Sequence, residues 1–132
     1  MERLKERIKQ TEKALGAFNE ILKEPYSKIV RDAAIQRFEF TLETLWKLAQ
    51  RYILLQNGIE AGSPKTVIRS CFQAALLNEK QTEILLIAID DRNLTAHTYN
   101  EELAEKIYKN LFNYRPVFDC LFQKISKDTS IK

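Results

Sequence analysis

The sequence is poor in the two residues that form tight turns, because it has only three glycines and three prolines among 132 residues. Together they make up about 5% of the chain, against about 12% in an average protein. This scarcity argues against a β-sandwich or a barrel and favours long helices. The sequence also lacks any apolar run near the roughly 20 residues that a membrane-spanning helix needs, so we expect no membrane partner.

Histidine and cysteine are also scarce. The chain has one histidine and two cysteines, Cys71 and Cys120, and no CxxC pair. The sequence therefore predicts no Cys/His zinc site, and we expect no metal and no other cofactor. Both cysteines fall in apolar stripes of predicted helices, a position typical of buried, reduced thiols.

No charge of one sign dominates the chain. Lysine and arginine number 21 and the acidic residues 18, which gives a net charge of +3. No run of basic residues occurs, which argues against an arm for duplex DNA. Charged residues at 30% and hydrophobic residues at 45% exclude intrinsic disorder. Residues 1–6 lack the apolar segment of a signal peptide, so we expect a soluble, cytoplasmic protein.

Apolar residues recur at helical spacing along almost the whole chain. Start and stop signals divide this pattern into segments. Pro25 stops the first segment, and Ser27 or Asp32 can cap the second. The remaining signals are Gly58 as a C-terminal cap, Ser63-Pro64 as a start, Asn78 with Gln81 as a capping box, and Asn100 as a cap. Pro116 lies within the last apolar stripe and predicts a kink or a break between about residues 112 and 116.

These segments predict an all-α fold, an up-and-down bundle of four to five helices. The bundle is expected to form a single domain over residues 1–125, and residues 126–132, which lack an apolar stripe, are expected to form a flexible C-terminal tail. Because the predicted connections are short, consecutive helices should be antiparallel neighbours.

The candidate functional residues lie in the segment Asp91–Tyr99. On a helix, Arg92 and Asn93 would continue the apolar face. An arginine there needs a carboxylate, a phosphate or a partner surface, because burying it unpaired is costly. Arg92 and His97 are about 140° apart around a regular helix, which would not bring them together. Either the helix ends near Thr95, or a second copy of the chain completes the site.

Each of these residues also has a simpler structural interpretation. The same holds for a polar line at helical spacing on the second predicted helix, which is either one wall of a cleft or a solvated face. The structural alternatives are an ion pair of Arg92 with Glu39, Glu43 or Asp91, a helix cap for His97, a loop position for Tyr99, and a solvated face for Glu39, Glu43, Trp46 and Gln50.

Arg92-Asn93-x-x-x-His97 resembles the Arg-x4–6-His motif of HEPN domains. Its extension to Tyr99 resembles the Arg-x4-His-x-Tyr form of prokaryotic HEPN proteins that are paired with minimal nucleotidyltransferases. The stretches IQRFEF at 35–40, LWK at 45–47 and GSPK at 62–65 resemble, in order and spacing, the subfamily described as the nucleotidyltransferase substrate-binding subunit. The resemblance covers about residues 3–125.

The resemblance implies a homodimer in which two Arg…His segments face each other across a cleft. In active members, His97 would act as general acid and base on a ribose 2′-hydroxyl, and Arg92 would stabilise the charged phosphorane without a metal. Asn93 and Glu39 would support them. Tyr99 would be the residue to which the partner nucleotidyltransferase transfers AMP.

Three functions are therefore open. The leading hypothesis is a toxin-type, metal-independent endoribonuclease that cleaves RNA and is neutralised by its minimal nucleotidyltransferase partner. The alternative is a non-catalytic subunit that presents a nucleotide or another substrate to that partner, with Arg92 holding a phosphate. The third is an adaptor bundle whose apolar stripes serve only dimerisation.

Overall fold

A computed structural model of the protein describes residues 2–128, and every regular element in that range is a helix. This confirms the predicted all-α class. The elements in chain order are α1 (Glu2–Leu22), α2 (Lys28–Asn57), α3 (Pro64–Gln73), α4 (Glu79–Leu94), a short 3₁₀ helix (Thr95–His97) and α5 (Glu101–Ser126).

Side-chain caps set the helix boundaries at the predicted positions. Ser27 Oγ accepts a hydrogen bond from the backbone N–H of Val30 at 3.0 Å, which starts α2. Asn78 and Gln81 accept from each other's backbone N–H groups at 2.8 and 2.9 Å, which completes the predicted capping box of α4. Gly58 ends α2 with φ of 66°, a left-handed conformation that glycine adopts without strain.

The helices surround one apolar core. Each helix contacts the next along the chain, and α5 also lies against α1 and α2. Aromatic rings fill the centre: Phe38 and Phe118 are almost parallel with centroids 6.2 Å apart, and Phe38 stacks on Tyr114 at 5.6 Å. The arrangement confirms the predicted helical bundle.

Pro116 lies inside α5 and does not end it, so of the predicted kink or break the break is wrong. Proline removes one backbone hydrogen bond, but the ring at this position is exposed. Tyr114, Val117 and Phe118 are buried on both sides of it, so core packing holds the two halves of α5 in one helix.

The C-terminal end of α5 passes the predicted domain boundary at residue 125. The helix ends at Ser126, and the carboxylate of Asp128 accepts a hydrogen bond from the hydroxyl of Tyr52. Residues 129–132 of the predicted tail lie outside the described residues. None of the helices in residues 2–128 has the length and the apolar character that crossing a membrane requires.

The two cysteines differ in their surroundings. Both are free thiols; Cys71 is buried, as predicted, whereas Cys120 is only half-buried. The side-chain amide of Gln81 donates to Cys120 Sγ at 3.3 Å, so the α4 start covers one side of this thiol.

Two buried polar residues fix the loop between α4 and α5. On α4, the carboxylate of Asp91 accepts hydrogen bonds from the Tyr114 hydroxyl at 2.5 Å and from the Asn110 amide at 3.0 Å. On α2, the Arg31 guanidinium donates to Glu101 at 2.7 Å. Since the loop runs from the end of α4 to Glu101, the two networks hold both of its ends on the bundle.

Candidate functional site

The segment from Arg92 to Tyr99 spans the last turn of α4, the 3₁₀ helix and the following loop. Hydroxyl groups end the α-helix here: Thr95 Oγ1 donates to the carbonyl of Arg92 at 2.8 Å, and Thr98 Oγ1 donates to the carbonyl of Thr95 at 2.9 Å. Such side-chain bonds compete with the α-helical pattern and tighten the chain into a 3₁₀ turn. The α-helix therefore ends near Thr95, as one of the two predicted arrangements requires.

The side chain of Arg92 lies at the surface between α4 and α2 and is 37% exposed. Its Nη1 is 3.7 Å from Glu39 Oε2, which is a loose ion pair. Its Nε is buried and has no hydrogen-bond partner among residues 2–128. A guanidinium with a free donor and one distant carboxylate keeps its capacity to bind an anion. The structural alternative of an ion pair with Glu39 is therefore present, but it does not satisfy the arginine.

Two residues of the polar line on α2, Glu39 and Glu43, lie close to Arg92. Glu43 accepts a hydrogen bond from Trp46 Nε1 at 3.1 Å and pairs with Lys47 Nζ at 3.1 Å. Burial raises the pKa of Glu43, but these hydrogen bonds and the charges of Lys47 and Arg92 outweigh it and hold the pKa below its ordinary value of 4.5. Glu43 is therefore ionised at neutral pH and contributes to a mixed-charge surface.

His97 and Tyr99 form an aromatic pair on the loop. Their ring centroids are 6.1 Å apart and the rings meet edge to face, with an interplanar angle of 73°. His97 is exposed, and Tyr99 is 83% exposed, the highest value among the large apolar and aromatic side chains of residues 2–128. The Tyr99 hydroxyl is thus accessible to another macromolecule.

Asn93 does not continue the apolar face of α4, so that prediction is wrong. Its side chain is exposed, whereas Ala88, Asp91 and Thr95 are buried. The buried face of α4 passes through Asp91 because Tyr114 and Asn110 on α5 satisfy this carboxylate. The spacing of 3 and 4 residues from Ala88 to Asp91 to Thr95 is the sequence signal that could have indicated this face.

The structure thus joins the predicted site residues in two pairs. One pair is Arg92 with Glu39, and the other is His97 with Tyr99. Within residues 2–128, no hydrogen bond, ion pair or ring contact connects Arg92 to His97. The same part of the chain contains no group of three His, Cys, Asp or Glu side chains that could hold a metal ion.

The sequence profile of a family described as nucleotidyltransferase substrate binding protein like matches residues 6–127. The chain belongs to the nucleotidyltransferase substrate-binding family. The family membership confirms the predicted resemblance to the nucleotidyltransferase substrate-binding subunit.

Two solved structures are similar to this family member. A protein from Thermus thermophilus is 41% identical, with a TM-score of 0.86 over 89% of this chain and 99% of that one. The Haemophilus influenzae protein HI0074, whose structure is described as the fold of a substrate-binding domain of a nucleotidyltransferase, is 21% identical. It aligns with a TM-score of 0.64 over 96% of this chain and 98% of that chain, which shows the shared fold. No curated protein sequence matches the chain.

Proposed function

We propose that this chain is the substrate-binding partner of a separate nucleotidyltransferase. The surface formed by Arg92, His97 and Tyr99, called here the Arg92–Tyr99 face, would present a phosphate-bearing substrate to that enzyme. The observation that carries the proposal is the family match over residues 6–127. HI0074, described as a substrate-binding domain, supports it through its similar fold.

The chemistry of Arg92 supports a binding role. A phosphate oxygen offers this guanidinium shorter and better aligned hydrogen bonds than the carboxylate of Glu39, which lies 3.7 Å away. An incoming phosphate would thus displace a weak ion pair at the accessible part of the guanidinium.

The surroundings of His97 also favour binding over catalysis by a single chain. General acid–base catalysis needs an imidazole held in position by a partner group and placed close to the reacting atoms. His97 is exposed, and its ring meets the Tyr99 ring edge to face. One chain by itself therefore offers a recognition surface.

Calorimetry with a minimal nucleotidyltransferase tests the proposal. The enzyme to use is one that carries a Gly-Ser-x10–13-Asp-x-Asp signature and is encoded beside this chain. We expect the two chains to associate and the complex to bind ATP without turnover by this subunit. Arg92→Ala should weaken ATP binding at the Arg92–Tyr99 face about tenfold or more, and leave ATP bound elsewhere in the complex unaffected, because a charge-assisted contact is lost only at this face.

Arg115→Ala is the matched control, because Arg115 has similar exposure and pairs with one carboxylate, Asp119, at 3.2 Å. This variant should bind ATP as the unchanged complex does. If the two proteins do not associate, or if both variants behave alike, the proposal is wrong.

A second candidate function is a HEPN-type endoribonuclease. The sequence favours it, because His97 follows Arg92 by five residues within one exposed segment. Two chains in a homodimer would supply two imidazoles. One would take the proton of a ribose 2′-hydroxyl as its oxygen attacks phosphorus. The other would protonate the departing 5′-oxygen, leaving a 2′,3′-cyclic phosphate. Arg92 would neutralise the phosphorane.

Incubation of RNA with the purified chain in the presence of a chelator tests this candidate. Cleavage by the unchanged protein and its loss in Arg92→Ala and in His97→Ala would support it, and light scattering should then show a dimer. RNA that stays intact rules out the ribonuclease. A His97→Ala variant that changes stability alone would favour the simple adaptor.

Tyr99 is the proposed acceptor of AMP in this toxin-type pair. Its phenol oxygen would bond to the α-phosphorus of ATP, pyrophosphate would leave, and the phenol proton would pass to a base of the nucleotidyltransferase. The added bulk and negative charge would block phosphate binding at the Arg92–Tyr99 face. ATP and RNA are both present in the cytoplasm, so we propose that the chain acts there.

Intact-mass measurement of the chain after co-expression with the transferase tests the modification. The expected gain is the mass of one AMP less one water, lost in Tyr99→Phe and kept in Tyr26→Phe, an exposed tyrosine far along the sequence. An unchanged mass would contradict a role of Tyr99 as acceptor.

A further inference from the structure

A cavity of about 300 Å³ lies between the start of α1, the second half of α2 and the loop that follows α2. None of its lining residues belongs to the Arg92–Tyr99 face. Basic side chains dominate the lining, and we call this space the basic cavity. Its charged members are Arg3, Arg7, Lys47 and Arg51 together with one carboxylate, Glu60.

Helix geometry explains how these cations come together. Arg3 and Arg7 are four residues apart on α1, and Lys47 and Arg51 are four residues apart on α2, so each pair shares one helix face. The two helices pack along each other, and the Thr11 hydroxyl reaches the carbonyl of Thr44 across the contact at 3.5 Å. Four positive charges and one carboxylate therefore line one space, which gives the lining an excess of positive charge.

The protein compensates little of this charge. Lys47 pairs with Glu43 at 3.1 Å, on the side of α2 that leads towards Arg92. Within residues 2–128, none of the three arginines of the cavity forms an ion pair, and Glu60 forms none either. Three guanidinium groups are thus available around one concavity, and each can bind phosphate oxygens through a planar fork.

The apolar residues of the lining, called here the apolar wall, are held in position by hydrogen bonds. Leu54 comes from α2, and Ile59 and Ala61 come from the loop. The amide of Gln50 donates to the Ala61 carbonyl at 2.6 Å, which ties the loop to α2. The left-handed Gly58 turns the chain back so that Ile59 N–H can donate to the Ile53 carbonyl at 3.2 Å. This wall is therefore formed before any ligand binds.

We propose that the basic cavity binds a small organic polyphosphate, with the phosphate groups on Arg3, Arg7 and Arg51 and the organic group against Leu54 and Ile59. The combination of clustered guanidinium groups with a preformed apolar wall fits such a ligand better than it fits an inorganic ion. The volume is at the lower end of the range for small-molecule sites. This inference does not depend on the transferase partnership.

Calorimetry on the isolated chain with three probes tests the proposal: ATP, inorganic triphosphate and adenosine. We expect ATP to bind more tightly than triphosphate, adenosine not to bind, and added salt to weaken ATP binding. The double variant Arg7→Gln/Arg51→Gln should weaken ATP binding about tenfold or more, because it removes two cations and keeps the helices intact. Leu54→Gln should weaken ATP binding and leave triphosphate binding unchanged.

Two matched controls separate the cavity from general charge and general polarity. Lys9→Gln/Lys13→Gln removes two exposed cations from α1 at the same spacing, and Leu55→Gln changes an exposed leucine beside Leu54. Both should bind ATP normally.

Three results would overturn the assignment to the basic cavity. The first is equal weakening by the lysine control. The second is equal affinity for triphosphate and ATP. The third is loss of ATP binding in Arg92→Gln with retention in Arg7→Gln/Arg51→Gln. The third result would also show that the Arg92–Tyr99 face binds the nucleotide, so the two proposals can fail separately.

Discussion

At the scale of single residues, Asp90 and Asp91 are adjacent in sequence and opposite in surroundings. Asp91 is 6% exposed and accepts hydrogen bonds from Tyr114 and Asn110. Asp90 has a side chain that is 57% exposed and pairs with Lys65 on α3 at 2.6 Å. Burial and the hydrogen bond to Asp91 together raise the pKa of Tyr114, so its hydroxyl remains a donor at neutral pH.

Asp91→Ala should lower the free energy of unfolding by about 3 kcal/mol, because it leaves the buried Tyr114 hydroxyl and the half-buried Asn110 amide without an acceptor. Asp90→Ala should cost less than about 1 kcal/mol, since it removes only a surface ion pair. Urea denaturation of both variants measures the difference. Equal losses would contradict the role assigned to Asp91.

This pair also shows why the sequence did not define the site completely. Two aspartates in a row carry no information about which one faces α5, and Asp91 was equally plausible as a partner of Arg92. The burial of Asp91 depends on Asn110 and Tyr114, which lie on the next long helix, α5. The sequence singled out Arg92, His97 and Tyr99 by their spacing, and of these three the structure brings His97 and Tyr99 into contact.

At the scale of helices, α5 combines a favourable core face with an unfavourable proline. Its buried residues continue on both sides of Pro116, and the ring of Pro116 itself is exposed. The missing backbone hydrogen bond is therefore a cost that packing outweighs. The sequence predicted this cost correctly, but it could not compare the cost with packing that only the assembled bundle provides.

Pro116→Ala should stabilise the protein by about 1–2 kcal/mol. Alanine restores the backbone hydrogen bond in the helix, and part of that gain is offset by the greater flexibility of the unfolded chain. Asn113→Ala, an exposed site on the same helix, should change stability by only about 0.5 kcal/mol. Thermal unfolding measures both. If Pro116→Ala destabilises the protein, the proline ring contributes to packing in spite of its exposed position.

At the scale of the whole molecule, Arg31 connects α2 to the start of α5. It is 2% exposed and donates to Asp32 at 2.9 Å, to Glu101 at 2.7 Å and to Glu105 at 3.3 Å. The hydrogen bond with Arg31 lowers the pKa of Glu101 below its ordinary value of 4.5. This network lies at the end of the loop that carries His97 and Tyr99, so it also holds the Arg92–Tyr99 face in place.

The lowered pKa sets the sign of a pH dependence. A carboxyl group with a lower pKa in the folded state stabilises the protein above its ordinary pKa, and this contribution disappears as the pH falls through the folded value. We expect the stability of the unchanged protein to fall below about pH 4.5, and Arg31→Met to show a weaker dependence there. Urea denaturation at a series of pH values measures this.

Arg37→Met is the control, because Arg37 donates to the carbonyl of Ala17 and not to a carboxylate. It should keep the pH dependence of the unchanged protein. Identical acid profiles for Arg31→Met and the unchanged protein would show that the network does not control acid stability.

The sequence by itself determined the helices, their caps and the family, because caps, turns and apolar spacing are local and act within a few residues. The tertiary structure alone decided which polar residues are buried and which cations meet. Arg3 with Arg7 and Lys47 with Arg51 are ordinary exposed pairs in the sequence, and no basic run marks them. They line one cavity because α1 packs against α2, and contacts between distant segments depend on the balance of packing and burial over the whole core.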